Sequence, residues 1–279
     1  QGPAPQRVPE EHALAGLGQQ RGGAVVAVVM CPGQGAQKVG MGKDLAERFP
    51  VARDTFEAID EALGVPLSRL MWEGPEEELV LTHNTQPAIL AHSAAVFAVV
   101  RERLGPVAAG AGHSLGEYSA SVAAGSLSAP DAARLVRRRG ELMYEAGAAR
   151  PGAMSAVLGL EPGAVEAACA EASGPDGVAV AANLNAPDQV VISGDPDAVA
   201  RAGDGCKARG AKRVIPLKVS GAFHSPLMAP AVPGLEAALA AAPFAAPAFP
   251  VVANATAEPV RTAADAVRLL SAQLTAPVR

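Results

Sequence analysis

Aromatic side chains are scarce in this sequence: six Phe, two Tyr and one Trp make up 3% of its 279 residues. The interior must therefore be packed by Ala, Val and Leu. The chain is 49% apolar and 18% charged, a balance that excludes an intrinsically disordered protein. An excess of positive charge is also missing. Lys and Arg number 23 against 28 Asp and Glu, a net charge of −5, whereas a dedicated nucleic-acid binder would be basic. Cysteine is limited to Cys31, Cys169 and Cys206, far apart and odd in number. That excludes a disulfide framework and a local CxxC metal pair, and makes a reducing cytoplasm the expected compartment. No run reads as a membrane span. The uncharged stretch 237–257 contains Pro243, Pro247 and Pro250 and reads as a loop leading into a strand. Residues 1–23 carry charge, Pro and Gly without a long apolar core, which reads as a flexible tail and not as a signal peptide.

What is present has the order of an α/β protein of about two domains. An apolar run at 24–30 is followed at once by Cys31-Pro-Gly-Gln-Gly, as in a buried parallel strand with helices on both faces of its sheet. Helical patterns follow at 43–63 and 86–104, then a short strand at 107–111. A glycine turn, 112–116, comes next, with helices at 117–124 and 130–143. From 147 to 220 the order becomes strand (153–160), helix (162–172), strand (178–184), turn (185–188), strand (189–193), helix (196–209), strand (212–219). That β-α-β-β-α-β order is ferredoxin-like and fits a small inserted subdomain. The large subdomain would then comprise 24–146 and 221–279, its sheet resuming at 249–253 before a final helix at 263–274.

Three features carry chemistry. Gly112-His113-Ser114-Leu115-Gly116 matches G-x-S-x-G, in which glycines let a serine stand exposed on a strand-to-helix turn, with the next N–H as an oxyanion donor. An ordinary glycine-rich turn fits the motif alone equally well. Of five histidines, His12 falls in the tail, His83 in a polar loop and His92 in an Ala-rich helix, and the His113 side chain would point away from Oγ. His224, in Gly221-Ala-Phe-His-Ser-Pro, lies on a loop at a strand end and by elimination is the best partner for Ser114. The third feature is Arg139. Ala132, Leu135, Val136, Leu142 and Met143 form the apolar stripe of its helix, and steps of three and four land on 139. A buried structural ion pair or a snorkelling side chain would explain it, and so would a fork for a substrate carboxylate. Gly33-Gln34-Gly35 allows close backbone approach to a ligand but matches neither a P-loop nor a Rossmann fingerprint.

Together these segments resemble the malonyl-CoA:acyl-carrier-protein transacylases. The likeness rests on Pro32-Gly-Gln-Gly-Ala-Gln, Thr85-Gln-Pro-Ala, Gly112-His-Ser-Leu-Gly-Glu-Tyr-Ser-Ala, Arg139-Gly and Gly152-Ala-Met. It continues with Asn183-Leu-Asn-Ala-Pro, Gln189-Val-Val-Ile-Ser-Gly, Phe223-His-Ser-Pro-Leu-Met and Gln273-Leu-Thr-Ala-Pro-Val, in the family's order. The resemblance implies an α/β-hydrolase-like large subdomain with a parallel sheet and an inserted ferredoxin-like small one. It implies Ser114 as nucleophile and His224 as base. The N–H groups of Gln34 and Leu115 would form the oxyanion hole. Arg139 would hold the malonyl carboxylate, and the main chain of Gln273 would orient the histidine. Asn183 and Asn185 would lie near the substrate or carrier entrance, and Leu115 and Phe223 match malonyl-selective members. The implied partners are malonyl-CoA and acyl carrier protein, with no metal, no cofactor of its own, no nucleic acid and no membrane, in a monomer.

Family members continue beyond the position of Arg279, so the resemblance implies a large subdomain incomplete at its C-terminus. The chain begins at Gln1 without an initiator Met, and its natural start is expected elsewhere. An acyltransferase domain of a polyketide synthase is the close alternative. A serine esterase on the same core would not need a buried arginine, and an inactive carrier-binding subunit would not need an intact Ser114, His224 and Arg139. Lys207, Arg209, Lys212 and Arg213 are the basic residues expected to meet an acidic carrier.

Overall fold

The computed structural model describes residues 26–279; the apolar residues 24 and 25 and the expected tail lie outside them. Two four-stranded sheets organise the chain. In the first, β1 (Ala27–Cys31) pairs in parallel with β2 (Val107–Gly112), β2 in parallel with β7 (Val251–Val252), and β7 antiparallel with β8 (Pro259–Val260). In the second, β4 (Ala179–Ala186), β5 (Gln189–Gly194), β3 (Ala153–Leu158) and β6 (Arg213–Pro216) lie side by side in that order, all antiparallel. Helices α8 (Pro162–Ala172) and α9 (Pro196–Ala208) connect them, giving the expected ferredoxin-like unit. Val157, Val165, Cys169, Val190, Ile192, Val199 and Cys206 fill its core.

The large subdomain owes its bulk to helices. α2 (Pro50–Leu63), α5 (Thr82–Val100) and α7 (Ala129–Ala149) pack on one another around Phe56, Ile59, Ile89, Leu90, Val136 and Met143. Close approach of α5 and α7 depends on Gly140, where a Cβ would run into the backbone of Thr82 and His83. α6 (Leu115–Ala123) packs against β1, β2 and β7.

Several expectations shift. Among the described residues β1 is covered on one face only: Val28 and Met30 are 60% and 81% exposed, opposite the face that α6 covers. The pattern at 43–63 is two helices, α1 (Lys43–Arg48) and α2, because Phe49 is extended before Pro50. α5 begins at Thr82, earlier than expected, so His83 is helical and not in a loop. Its first turn is held by Asn84 and Thr85, whose side chains donate to the carbonyls of Glu78 and Leu79. α7 runs six residues past Met143, to Ala149. Two short helices, α3 (Leu67–Glu73) and α4 (Glu76–Leu79), were not anticipated, and α10 (Val232–Ala241) occupies the start of the stretch read as loop. β4 extends through Asn185, leaving the hairpin turn to Pro187 and Asp188. Only Val251 and Val252 of 249–253 enter the sheet. α11 (Ala263–Ala272) ends just before Gln273, its C-cap. Beyond it Val278 bridges to Asn183 in parallel, adding the last residues to the β4 edge.

Candidate active site

Ser114 sits where β2 turns into α6, with φ 52° and ψ −104°. This is a conformation that a non-glycine residue keeps only where its surroundings enforce it. The flanking glycines are steric necessities: a Cβ on Gly112 would overlap Gly116, and one on Gly116 would overlap the carbonyl of Cys31. G-x-S-x-G is therefore the elbow and not an ordinary turn. The Leu115 N–H opens α6, in the first turn, where N–H groups lack intrahelical acceptors.

His224 also has a positive φ, 54°. Its Nε2 lies 2.8 Å from Ser114 Oγ, and its Nδ1 lies 2.9 Å from the main-chain oxygen of Gln273. A carbonyl can only accept, so Nδ1 carries the proton and Nε2 is left free to accept from Oγ. Burial, then the positive charge of Arg139, holds the imidazole pKa down at about 3, so the ring is a neutral base at pH 7. His113 points elsewhere, its Nε2 2.9 Å from Asn185 Oδ1.

Arg139 is 1% exposed. Its NH1 donates to Gln86 Oε1 at 2.7 Å, and its NH2 to Ser114 Oγ at 3.0 Å and Gln273 Oε1 at 2.9 Å. All three acceptors are neutral, and the buried Nε has no partner. Neither a direct ion pair nor snorkelling therefore accounts for the residue. Burial pulls its pKa down, yet a guanidinium stays protonated at neutral pH. Its Cζ also stands 5.4 Å from the Tyr118 ring centroid. The nearby carboxylate is Glu117, itself 2% exposed and raised to about 7 by burial; it reaches Arg139 through Gln273, whose Nε2 donates to Glu117 Oε2 at 2.7 Å.

A cavity of about 290 Å³ opens onto these groups. Ser114, His224, Arg139, Gln34, Leu115, Asn183, Asn185 and Phe223 all line it, so every expected site residue but one meets in one place. The exception, Gln273, is fully buried beneath it and touches His224, Arg139 and the main chain of Ser114. Asn183 and Asn185 alternate along β4 and so share a face. Met143, Met154, Ala156 and Val191 give the cavity an apolar wall. Three further residues escaped the sequence reading as site residues: Gln86, Glu117 and Asn254. Gln86 and Glu117 lie within the motifs Thr85-Gln-Pro-Ala and Gly112-His-Ser-Leu-Gly-Glu, whereas Asn254 lies in none of the motifs.

A serine on a strained elbow, a histidine oriented by a carbonyl and a buried cation beside the nucleophile define the class: a serine-dependent acyl-transfer site on an α/β core. The acyl transferase domain family model matches residues 28–276, and the chain belongs to that family. It is 46% identical to the malonyl CoA-acyl carrier protein transacylase of Bacillus subtilis over 248 residues, 89% of this chain and 78% of that protein. An acyl carrier protein S-malonyltransferase structure from Vibrio cholerae superposes with a TM-score of 0.86 at 45% identity, covering 90% of this chain and 82% of that one. A malonyl-transacylase solved with a type II PKS acyl-carrier protein gives 0.85 at 45% identity, with the same coverage.

Proposed function

We propose that this protein moves a malonyl group from malonyl-CoA to the phosphopantetheine thiol of acyl carrier protein, through malonyl-Ser114, in fatty-acid synthesis. The observation that carries the reading is the buried Arg139 guanidinium, held only by neutral groups and 3.0 Å from Ser114 Oγ. A cation so placed calls for an anionic acyl group, and malonyl carries its carboxylate three carbons' length from the reacting carbonyl's sulfur. A plain serine esterase has no use for that charge.

In the first half-reaction Ser114 Oγ attacks the thioester carbon while its proton passes to His224 Nε2. The C–O bond forms, and the oxyanion meets the N–H groups of Leu115 and Gln34. The C–S bond then breaks, and the CoA thiolate takes the proton from His224. In the second half the carrier thiol gives its proton to His224, attacks the ester carbon and displaces Ser114, which recovers the proton. Thioester becomes ester and again thioester, so no hydrolysis or external energy is needed. Serine and histidine complete the cycle, so the reading includes no metal and no prosthetic group of the enzyme's own. The same reading takes the enzyme as a monomer. Such a supply reaction belongs in the cytoplasm, beside the soluble carrier.

Incubation with malonyl-CoA and holo acyl carrier protein, followed by intact mass of the carrier, tests the function. Malonyl-carrier should accumulate with wild type and not with Ser114→Ala. Accumulation of free malonate without malonyl-carrier would make the protein a hydrolase instead.

A further inference from the structure

The peptide units on either side of Ser114 are held by side chains with no part in the reaction drawn above. The Ser114 N–H donates to Asn254 Oδ1 at 2.7 Å, and Asn254 Nδ2 donates to the Gly112 carbonyl at 2.7 Å. One amide thus clamps the strand side of the elbow, from the Gly112 carbonyl to the Ser114 N–H. Asn254, just after β7, is 7% exposed, and its own backbone N–H donates to Glu117 Oε2 at 2.9 Å. The same carboxylate oxygen accepts from Gln273 Nε2, which also donates to the Ser114 carbonyl at 3.0 Å. The N–H and C=O of the serine are therefore both gripped by side chains anchored on one buried oxygen of α6. A non-glycine residue at φ 52° persists where it is over-determined in this way.

We propose that Asn254, seated on Glu117, is the positioning residue that fixes the Ser114 elbow and withholds the Ser114 N–H from the oxyanion, leaving that task to other donors of the cavity. The inference rests on Ser114 being the nucleophile. Among the described residues Asn254 makes no hydrogen bond to Arg139; its side chain reaches the site through the Ser114 N–H and, at 3.3 Å, Gln273 Nε2, so its effect falls on the placement of Oγ and not on the grip on the substrate's carboxylate.

Two reactions on the full chain test it: labelling of Ser114 by a fluorophosphonate, and single-turnover loading by malonyl-CoA. In Asn254→Ala, phosphonylation and the saturating loading rate should both fall by about a hundredfold, as a misplacement on the scale of an ångström produces. The half-saturating malonyl-CoA concentration should stay within about twofold. Asn254→Ser, too short to reach the Ser114 N–H, should behave alike. Glu117→Gln keeps an oxygen that can accept both bonds and should retain rates within about fivefold of wild type. Glu117 supports both Asn254 and Gln273, so the loss in the double variant Glu117→Ala/Asn254→Ala should be smaller than the product of the two single losses. Wild-type phosphonylation in Asn254→Ala and Asn254→Ser would overturn the proposal. So would a loss confined to half-saturation, or failure of both variants to fold, which would make Asn254 a structural residue. A wild-type enzyme that is phosphonylated but takes no malonyl would sink the malonyl reading alone, and the phosphonate rates would still decide the role of Asn254.

Discussion

Arg139→Ala separates a substrate-binding role from a structural one. The guanidinium makes its bonds to Gln86, Ser114 and Gln273 and leaves Nε unpaired. Its removal frees Gln86 and Gln273 to bond elsewhere and leaves an apolar-walled hollow beside Oγ. A malonyl carboxylate entering that hollow would be a buried charge without a partner, a loss of about 3–5 kcal/mol. At about 1.4 kcal/mol per decade, malonyl loading should fall by roughly two to three and a half orders of magnitude. An acetyl group presents no carboxylate, so it loses no such interaction. The variant also removes the positive charge that, after burial, holds the His224 pKa down, which makes the ring a stronger base. Acetyl loading should therefore hold steady or rise. The assay is single-turnover loading from malonyl-CoA and acetyl-CoA, read by intact mass, with a melting curve to confirm folding. Equal losses for both acyl groups in a folded variant would refute the reasoning and make Arg139 a structural residue.

The remaining predictions concern pH, the carrier and the elbow. Because the folded His224 titrates at about 3 rather than 6.5, kcat/KM for loading should stay flat from pH 7 to well below 6, and Arg139→Ala should move the acid limb upward. A limb at the ordinary histidine value in wild type would contradict this. The same shift costs stability in acid. The unfolded chain takes up the His224 proton below 6.5 and the folded one does not, so stability falls from there towards pH 3. Glu117, raised from 4.5 to about 7, acts in the opposite sense, favouring the fold below 4.5 and losing that contribution as pH rises through 7. The melting-temperature difference between wild type and His224→Gln should therefore shift against wild type as pH drops below 6.5; a pH-independent difference would show otherwise. Lys207 and Arg209 already pair with Asp204 and Glu171, so charge reversal at Lys212 and Arg213 should raise the KM for carrier protein and weaken its salt dependence, with malonyl-CoA loading unchanged. An unchanged salt profile would place docking elsewhere. Gly116→Ala drives a Cβ into the Cys31 and Pro32 carbonyls, and should cost about 1–3 kcal/mol in denaturant unfolding together with most of the loading activity. A silent substitution would mean that the elbow relaxes freely.

The parts of the site that could be read from the sequence were those whose reasons are local. The glycines around Ser114 are dictated by the turn itself, and Arg139 betrays itself as a charge on an apolar stripe only a few residues long. His224 emerged because four other histidines had poorer places. The oxygen facing His224 belongs to the main chain of Gln273, and any residue has one, so only the resemblance pointed to it. Gln86, Glu117 and Asn254 acquire their roles by meeting across the fold: Asn254 and Glu117 lie far apart in the chain yet share a hydrogen bond. Polar residues at such positions read as surface until the core closes around them. Elsewhere the β-α-β-β-α-β order survived because its strands and helices alternate cleanly. α10 was hidden by an Ala-rich sequence running into Pro243, and β8, two residues long, is shorter than any periodicity can register, while β7 keeps two residues of the strand read at 249–253. The bare face of β1 was hidden by a continuous apolar run that looked buried on both sides.

The most direct test of the central claim is the covalent intermediate. Malonyl-CoA added without carrier protein should leave one malonyl group on the chain, mapped by peptide sequencing to Ser114, and holo acyl carrier protein added afterwards should remove it onto its own thiol. A folded enzyme that stays unmodified, carries the label on another residue, or keeps the label when the carrier arrives would contradict the account.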